Sequence, residues 1–252
     1  MSHANNPWLV YQDPPDRYPV TLFCFPYAGG NGHLFAQWQQ HLPSCHLIGI
    51  ELPGRGRRFA EPCLHRLDQV VEHCFEAIKR HLVKPFAFYG HSNGALLAYE
   101  LAHTIHRRLG LVPEPIMIAA KRAPQLGPER ALHQLPDAEF IEVLRTYQGT
   151  PQALLDKQEL MELYLPILRA DFALSETYRY APRPPLPTDA LLIAGEDDAI
   201  APPESVFAWQ SLFSGHVHRE RVTGNHFFLN QHTEQLSHLI RHHIQTTEYA
   251  YL

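Results

Sequence analysis

The stretch that decides the fold is Phe88-Tyr-Gly-His-Ser-Asn-Gly-Ala-Leu96, in which residues 90–94 fit the pattern Gly-x-Ser-x-Gly. A short aromatic and apolar run precedes it at residues 85–89, and residues 95–108 repeat apolar side chains at helical spacing. A serine on a sharp turn between strand and helix needs strained backbone angles, and the two flanking glycines let the neighbouring backbones approach. The context therefore predicts a nucleophile elbow that presents Ser92 at the carboxyl edge of a parallel sheet.

Strand-like and helix-like runs alternate along the rest of the chain, which is typical of a parallel sheet. We predict an α/β fold, with a mostly parallel central sheet and helices on both of its faces. The chain has 252 residues, of which 45% are hydrophobic, and this suits one domain spanning residues 1–252. The predicted strands are 20–25, 46–52, 86–89, 116–120, 190–194 and 217–222, and the predicted helices are 67–82, 95–108, 204–212 and 234–244.

A segment at residues 135–180 separates two predicted strands and is much longer than one crossover helix. Two apolar stripes at helical spacing predict at least two amphipathic helices in it. We interpret the segment as an inserted lid that covers the catalytic edge and walls an acyl pocket. The stripes are Phe140, Val143, Leu144 and Tyr147 in the first helix, and Leu160, Leu163, Tyr164, Ile167 and Leu168 in the second.

A serine hydroxyl is a poor nucleophile until a base takes its proton, so the elbow predicts an acid and a histidine further along the chain. Gly195-Glu-Asp-Asp198 directly follows a predicted strand. We assign Asp198 as the acid that orients the base, with Asp197 as the near alternative. Among 18 histidines, His226 has the position of the base, because its glycine-containing loop follows the last predicted strand. His91 adjoins Ser92 but is predicted to point away and to be structural.

Acyl transfer also needs hydrogen-bond donors for the oxyanion. We assign the backbone N–H of Asn93, directly after the nucleophile, and that of Ala28, in a glycine-rich loop after the first long strand. A phosphate cradle is the alternative for that loop, but it lacks the Lys-Ser/Thr of a P-loop.

Composition excludes several other functions. A net charge of -5 without a long basic run argues against nucleic acid as a partner, and neither a signal peptide nor a membrane span is apparent, so we expect a cytoplasmic protein. We expect no metal site, because His238 and His242 lack the adjacent glutamate of a metalloprotease motif. Four cysteines without CxxC spacing are expected to be reduced thiols: Cys24, Cys45, Cys63 and Cys74.

Six segments in order give the chain a resemblance to the type II thioesterases, the stand-alone editing hydrolases of polyketide and non-ribosomal peptide synthetases. The resemblance implies an α/β-hydrolase fold and hydrolysis of acyl or aminoacyl thioesters held on the phosphopantetheine arm of acyl or peptidyl carrier proteins. It implies no cofactor of the enzyme's own. The segments are Phe25-Pro-Tyr-Ala-Gly-Gly30, Leu52-Pro-Gly-Arg-Gly-Arg-Arg58, Gly90-His-Ser-Asn-Gly94, Leu168-Arg-Ala-Asp-Phe172, Gly195-Glu-Asp-Asp198 and Gly224-Asn-His226.

The chain departs from this family at Asn93, where methionine is common. The polar amide beside the pocket leads us to predict a smaller or more polar acyl group. Arg55, Arg57 and Arg58 follow the second long strand and are candidates for docking an acidic carrier protein or the phosphate of its arm. The alternative is a loop held by structural ion pairs.

Three rival functions share parts of this pattern. A general carboxylesterase or lipase would prefer oxygen esters, and an acyltransferase would pass the acyl group to an amine or an alcohol. A non-catalytic binding protein of the same fold is disfavoured, because all three candidate triad residues are present.

Overall fold

Seven strands form one sheet in the computed structural model, which describes residues 6–11, 18–83, 85–127 and 130–249, with side chains as far as residue 244. The strands are β1 (Leu9–Val10), β2 (Val20–Phe25), β3 (Cys45–Ile50), β4 (Phe86–His91), β5 (Ile116–Ala119), β6 (Ala190–Gly195) and β7 (Val217–Val222). Their order is β1-β3-β2-β4-β5-β6-β7. Only β1 runs antiparallel to its neighbour, and every other adjacent pair is parallel. The predicted parallel α/β architecture is confirmed.

Helices cover both faces of this sheet. They are α1 (Leu67–Ile78), α2 (Asn93–Leu109), α3 (Asp137–Tyr147), α4 (Gln152–Leu155), α5 (Gln158–Glu176), α6 (Pro203–Phe207) and α7 (Thr233–Tyr249), with a 3₁₀ helix at Gly32–Gln40. Side chains alternate along each strand, so Phe23 and Phe88 pack in the core beneath α1, α2 and α6. Leu22 and Tyr89 point to the opposite core, beneath α7 and the 3₁₀ helix, where Tyr89 contacts Trp38. No described helix has the length and apolarity that a bilayer-spanning segment requires.

The helices α3, α4 and α5 belong to a segment between β5 and β6 that has an apolar cluster of its own. The predicted stripe of α3 holds at Phe140 and Leu144, which are buried. The predicted stripe of α5 is wrong at Leu163 and Tyr164, which are 53% and 37% exposed. The predicted stripe holds at Ile167 and Leu168, which are buried, while Met161 and Leu165 take the buried places expected for Leu163 and Tyr164 and satisfy the same helical period.

Several short elements of the fold, among them β1 and the 3₁₀ helix at Gly32–Gln40, were not predicted from sequence patterns. The strand β1 has only two residues, too few to show any periodicity. The 3₁₀ helix at Gly32–Gln40 repeats at a period closer to three than to the 3.6 of an α-helix. The predicted helix 204–212 divides into α6 and a 3₁₀ turn at Ala208–Leu212.

Candidate active site

The turn between β4 and α2 holds Ser92 in a conformation that few residues adopt, with φ 55° and ψ −118°. The turn requires glycine at positions 90 and 94, because there is no room for a Cβ atom at either position. A Cβ atom on Gly94 would lie 2.0 Å from the carbonyl oxygen of Phe25, and one on Gly90 would lie 2.4 Å from the carbonyl oxygen of Gly94. The close approach of α2 to β2 that these glycines allow brings Ser92 to the carboxyl edge of the sheet, as the pattern indicates.

Ser92, His226 and Asp198 lie within hydrogen-bond distance of one another in series. The His226 Nε2 atom is 2.9 Å from Ser92 Oγ, and His226 Nδ1 is 2.8 Å from Asp198 Oδ2. Because an ionised carboxylate only accepts hydrogen bonds, Nδ1–H donates to Asp198 and the Nε2 lone pair faces the serine hydroxyl. The arrangement is that of a nucleophile, a base and an orienting acid.

The acid is held by the loop that carries it. Asp198 Oδ1 accepts hydrogen bonds from the backbone N–H groups of Ile200 and Ala201, both at 2.8 Å. Its side chain is fully buried, whereas the near alternative Asp197 is exposed. The structure therefore brings Asp198, and not Asp197, to His226.

His91 lies under the base instead of beside the nucleophile. Its Nε2–H donates to the backbone carbonyl of His226 at 2.7 Å, and the Tyr89 hydroxyl donates to its Nδ1 at 3.1 Å. Burial, and to a smaller extent the nearby His226, lowers the pKa of His91 to about 3. A neutral His91 thus fixes the backbone of the loop that carries the base.

Ser92 and His226 open into a cavity of about 350 Å³. Its size lies in the range of small-molecule sites. One wall is apolar and comes largely from the segment between β5 and β6, which supplies Leu132, Leu144, Tyr147, Leu168 and Phe172. The rest of the lining includes polar side chains, namely Lys121, Arg122, Arg130, Ser175 and Glu176. The buried Glu176 accepts hydrogen bonds from the backbone and ring nitrogens of His133.

Both predicted oxyanion donors belong to this cavity. Ala28 and Asn93 line it together with Ser92 and His226. Asn93 is the first residue of α2, so its N–H belongs to the helix N-terminus, where backbone donors lack partners within the helix. Its side chain is engaged elsewhere, because Asn93 Nδ2 donates to the backbone carbonyl of Asp171 at 2.5 Å.

The three predicted docking arginines do not form one exposed group. Arg55 is buried and donates two hydrogen bonds to Asp171, at 2.5 and 2.8 Å. Arg58 is buried as well and pairs with Glu61 at 2.6 Å. The burial of Arg55 and Arg58 argues against carrier docking through them and favours the alternative of structural ion pairs for both. Arg57 is exposed and donates to the backbone carbonyl of Leu9.

Asp171 has no role among the residues predicted for the site, although it lies in Leu168-Arg-Ala-Asp-Phe172, one of the segments that carry the family resemblance. The available signal was a charged residue among the apolar positions of the predicted α5 stripe, one helical turn after Ile167 and Leu168. It was not decisive because the partner, Arg55, lies 116 positions away in the sequence.

Among the described residues, no group of histidine, cysteine, aspartate and glutamate side chains is arranged to hold a metal ion.

Comparisons with known proteins identify the family of the chain. The thioesterase domain family matches residues 20–246. Thioesterase PikA5 of Streptomyces venezuelae is 35% identical over 245 residues, covering 96% of this chain and 87% of that protein. The solved structure of YbtT, described as the type II thioesterase of the yersiniabactin NRPS/PKS biosynthetic pathway, superposes with a TM-score of 0.86 at 32% identity, covering 95% of this chain and 99% of that one.

One relative has a name from a different reaction class. Linear gramicidin dehydrogenase LgrE of Brevibacillus parabrevis is 37% identical over 244 residues, covering 95% of this chain and 93% of that protein. The geometry around Ser92, with a histidine and a buried carboxylate in series, is that of acyl transfer.

Proposed function

The chain belongs to the thioesterase domain family and hydrolyses thioesters, and on this premise we propose that its substrates are acyl or aminoacyl groups on the phosphopantetheine arm of carrier proteins. Its biological role is then to clear stalled or mis-primed chains from a polyketide or non-ribosomal peptide synthetase. The likeness to YbtT and PikA5 supports this substrate class. The acyl or peptidyl carrier domains of that synthetase are its partners, and neither nucleic acid nor a membrane takes part.

One observation carries the proposed mechanism: His226 lies between Ser92 and Asp198, at 2.9 and 2.8 Å. In the first half-reaction His226 Nε2 takes the hydroxyl proton of Ser92 while Oγ attacks the thioester carbonyl. Asp198 keeps the Nδ1 proton in place and stabilises the imidazolium that forms. The tetrahedral intermediate expels the thiolate of the arm, which takes a proton from His226, and an acyl-Ser92 ester remains.

The second half-reaction repeats these steps with water. His226 Nε2 removes a proton from a water molecule that attacks the acyl-Ser92 carbonyl, and it then returns the proton to Ser92 Oγ as the carboxylic acid leaves. In both halves the backbone N–H groups of Ala28 and Asn93 donate to the oxyanion. Removing one such donor typically lowers the rate by about 10²- to 10³-fold, so the positions of these two N–H groups affect the rate strongly.

The remaining features fit this chemistry. We propose that the helices within residues 135–180 act as a lid, since they supply the apolar wall of the cavity, and that residues 1–252 form one domain. The proposed reaction uses no cofactor or metal of the enzyme, because the acyl group arrives on the partner's arm. A cytoplasmic location suits an enzyme that serves a synthetase.

The test is acyl release from a panel of substrates. Carrier proteins loaded with short alkyl, long alkyl and aminoacyl groups are compared with the matched free thioesters and oxygen esters. We expect carrier-dependent hydrolysis that is lost in Ser92→Ala and retained in Ser211→Ala, a control at an exposed serine that does not line the cavity.

Other results would favour a rival. Faster cleavage of the oxygen esters would indicate a general esterase. Turnover that requires an added amine or alcohol would indicate an acyltransferase.

A further inference from the structure

The helix α5 reaches across to the glycine-rich loop that carries Ala28. The carboxylate of Asp171, on α5, accepts a hydrogen bond from the backbone N–H of Gly29 at 2.7 Å. Gly29 has φ +80°, and a Cβ atom on it would lie 2.7 Å from Leu168 Cδ2, so α5 packs directly against this loop. A glycine with this much conformational freedom needs contacts from outside the loop to fix its geometry.

Arg55 holds the carboxylate that makes this contact. Its two hydrogen bonds to Asp171 are bidentate, and the two side chains are only 6% and 3% exposed. Burial alone would lower the pKa of Arg55, but the charge and hydrogen bonds of Asp171 outweigh burial and raise it. Arg55 also donates to the carbonyl of Gly30 at 3.3 Å. The ion pair thus touches two consecutive residues of the loop.

The same residue of α5 also contacts the other side of the oxyanion site. The backbone carbonyl of Asp171 accepts a hydrogen bond from Asn93 Nδ2 at 2.5 Å. Asn93 follows Ser92 and carries the second proposed oxyanion donor. The side chain of Asp171 therefore contacts Gly29, which directly follows the donor residue Ala28. Its main-chain carbonyl contacts the other donor residue, Asn93.

We propose that Asp171, held by Arg55, is a positioning residue that sets the distance between the two backbone donors of the oxyanion hole. The inference rests on the proposed roles of Ser92, Ala28 and Asn93. Oxyanion donors act at 2.7–3.1 Å from the developing charge, and a misplacement of about 1 Å costs on the order of 10²-fold in rate. Because α5 is part of the proposed lid, the lid is fastened to the catalytic machinery at this point.

The contact between Gly29 and Asp171 depends on the negative charge of the Asp171 carboxylate. A nearly isosteric substitution that removes this charge therefore tests it. Asp171→Asn keeps the size of the side chain, but it removes the charge that pairs with Arg55 and replaces one acceptor oxygen with a donor. Oxyanion stabilisation acts in the transition state, so we expect kcat for a thioester to fall by about 10- to 100-fold while KM stays within about twofold. A thioether analogue, which has no carbonyl oxygen, should bind the variant with an unchanged Kd.

The matched control breaks a comparable pair elsewhere. Glu100 on α2 pairs with Arg183 and also accepts from the Tyr178 hydroxyl, and none of the three lines the cavity. Glu100→Gln should leave kcat unchanged. All variants are assayed at a temperature below the onset of unfolding measured for each.

Arg55→Lys is the second variant, because it keeps the charge and replaces the bidentate contact with a single donor group. We expect its kcat to lie between those of the parent and Asp171→Asn. The proposal is overturned if both folded variants match Glu100→Gln in kcat, or if their KM rises while kcat is unchanged. Turnover that persists in Ser92→Ala would instead refute the proposed site, so the two failures are distinguishable.

Discussion

The neutral histidine beneath the catalytic base makes the stability of the fold depend on pH. His91 has its pKa lowered to about 3 from an ordinary value of 6.5, mainly by burial and then by His226. As the pH falls below 6.5, an unfolded chain takes up a proton at this position before the folded protein does. The stabilisation that His91 contributes is therefore complete above 6.5 and is lost progressively as the pH falls towards 3. The substitution His91→Gln removes the imidazole that titrates. It keeps a side-chain N–H that can donate to the His226 carbonyl.

The size of the change in unfolding free energy follows from the difference between the His91 pKa values of the folded and unfolded states. One pKa unit corresponds to about 1.4 kcal/mol, so lowering the pH from about 7.5 to about 5.0 should cost the folded state about 2 kcal/mol through His91 alone. All other titrating groups are common to the parent and His91→Gln. The difference in unfolding free energy between the two proteins should therefore move by about 2 kcal/mol in favour of the variant over this interval.

Urea unfolding at the two pH values, followed by tryptophan fluorescence, measures this difference. His65→Gln, at an exposed position, shows what removing one surface imidazole does under the same conditions. If the difference between parent and His91→Gln is the same at both pH values to within about 0.5 kcal/mol, then His91 does not stay neutral in the fold and the reasoning is refuted.

Three further predictions concern the elbow and its partners. Asp198→Asn should lower kcat by about 10³-fold or more, whereas Asp197→Asn should change it less than about twofold, and equal losses in steady-state assays would contradict the assignment of the acid. Gly94→Ala should reduce the unfolding free energy in urea by about 3 kcal/mol, because its Cβ would lie 2.0 Å from a backbone carbonyl. Gly110→Ala, with φ +67° but open space around it, should cost only about 1 kcal/mol. Asn93→Met should raise kcat/KM for long acyl thioesters relative to short ones, and an unchanged chain-length profile would argue against a role of this amide in selectivity.

Much of the fold could be predicted because its signals are local. The strand predicted at 217–222 coincides with β7, and the elbow at Ser92 does join β4 to α2. Hydrophobic period and glycine placement encode such elements within a few residues of chain. The helix α5 shows the limit of this approach, since more than one apolar stripe satisfies a 3.6-residue period and only tertiary packing decides which one is buried.

The residues of the candidate site also differ in whether local sequence signals or contacts between distant segments reveal them. Ser92, Asp198 and His226 could be assigned from their order and from the strand ends that precede them, and the structure brings these three side chains together. The pairing of Arg55 with Asp171 could not be predicted, because the burial of a guanidinium group depends on contacts between segments 116 positions apart. Sequence alone made Arg55 resemble an exposed docking residue for the same reason.

Both edges of the sheet are unfavourable to the addition of another strand. At one end β1 offers only two residues, and it already pairs with β3. At the other end β7 has the sequence Val-His-Arg-Glu-Arg-Val, with most of its side chains exposed or half-buried. Very short edge strands and charged side chains on an edge discourage pairing between molecules. Both ends of the sheet therefore discourage edge-to-edge aggregation of this protein, without requiring a further element to cover them.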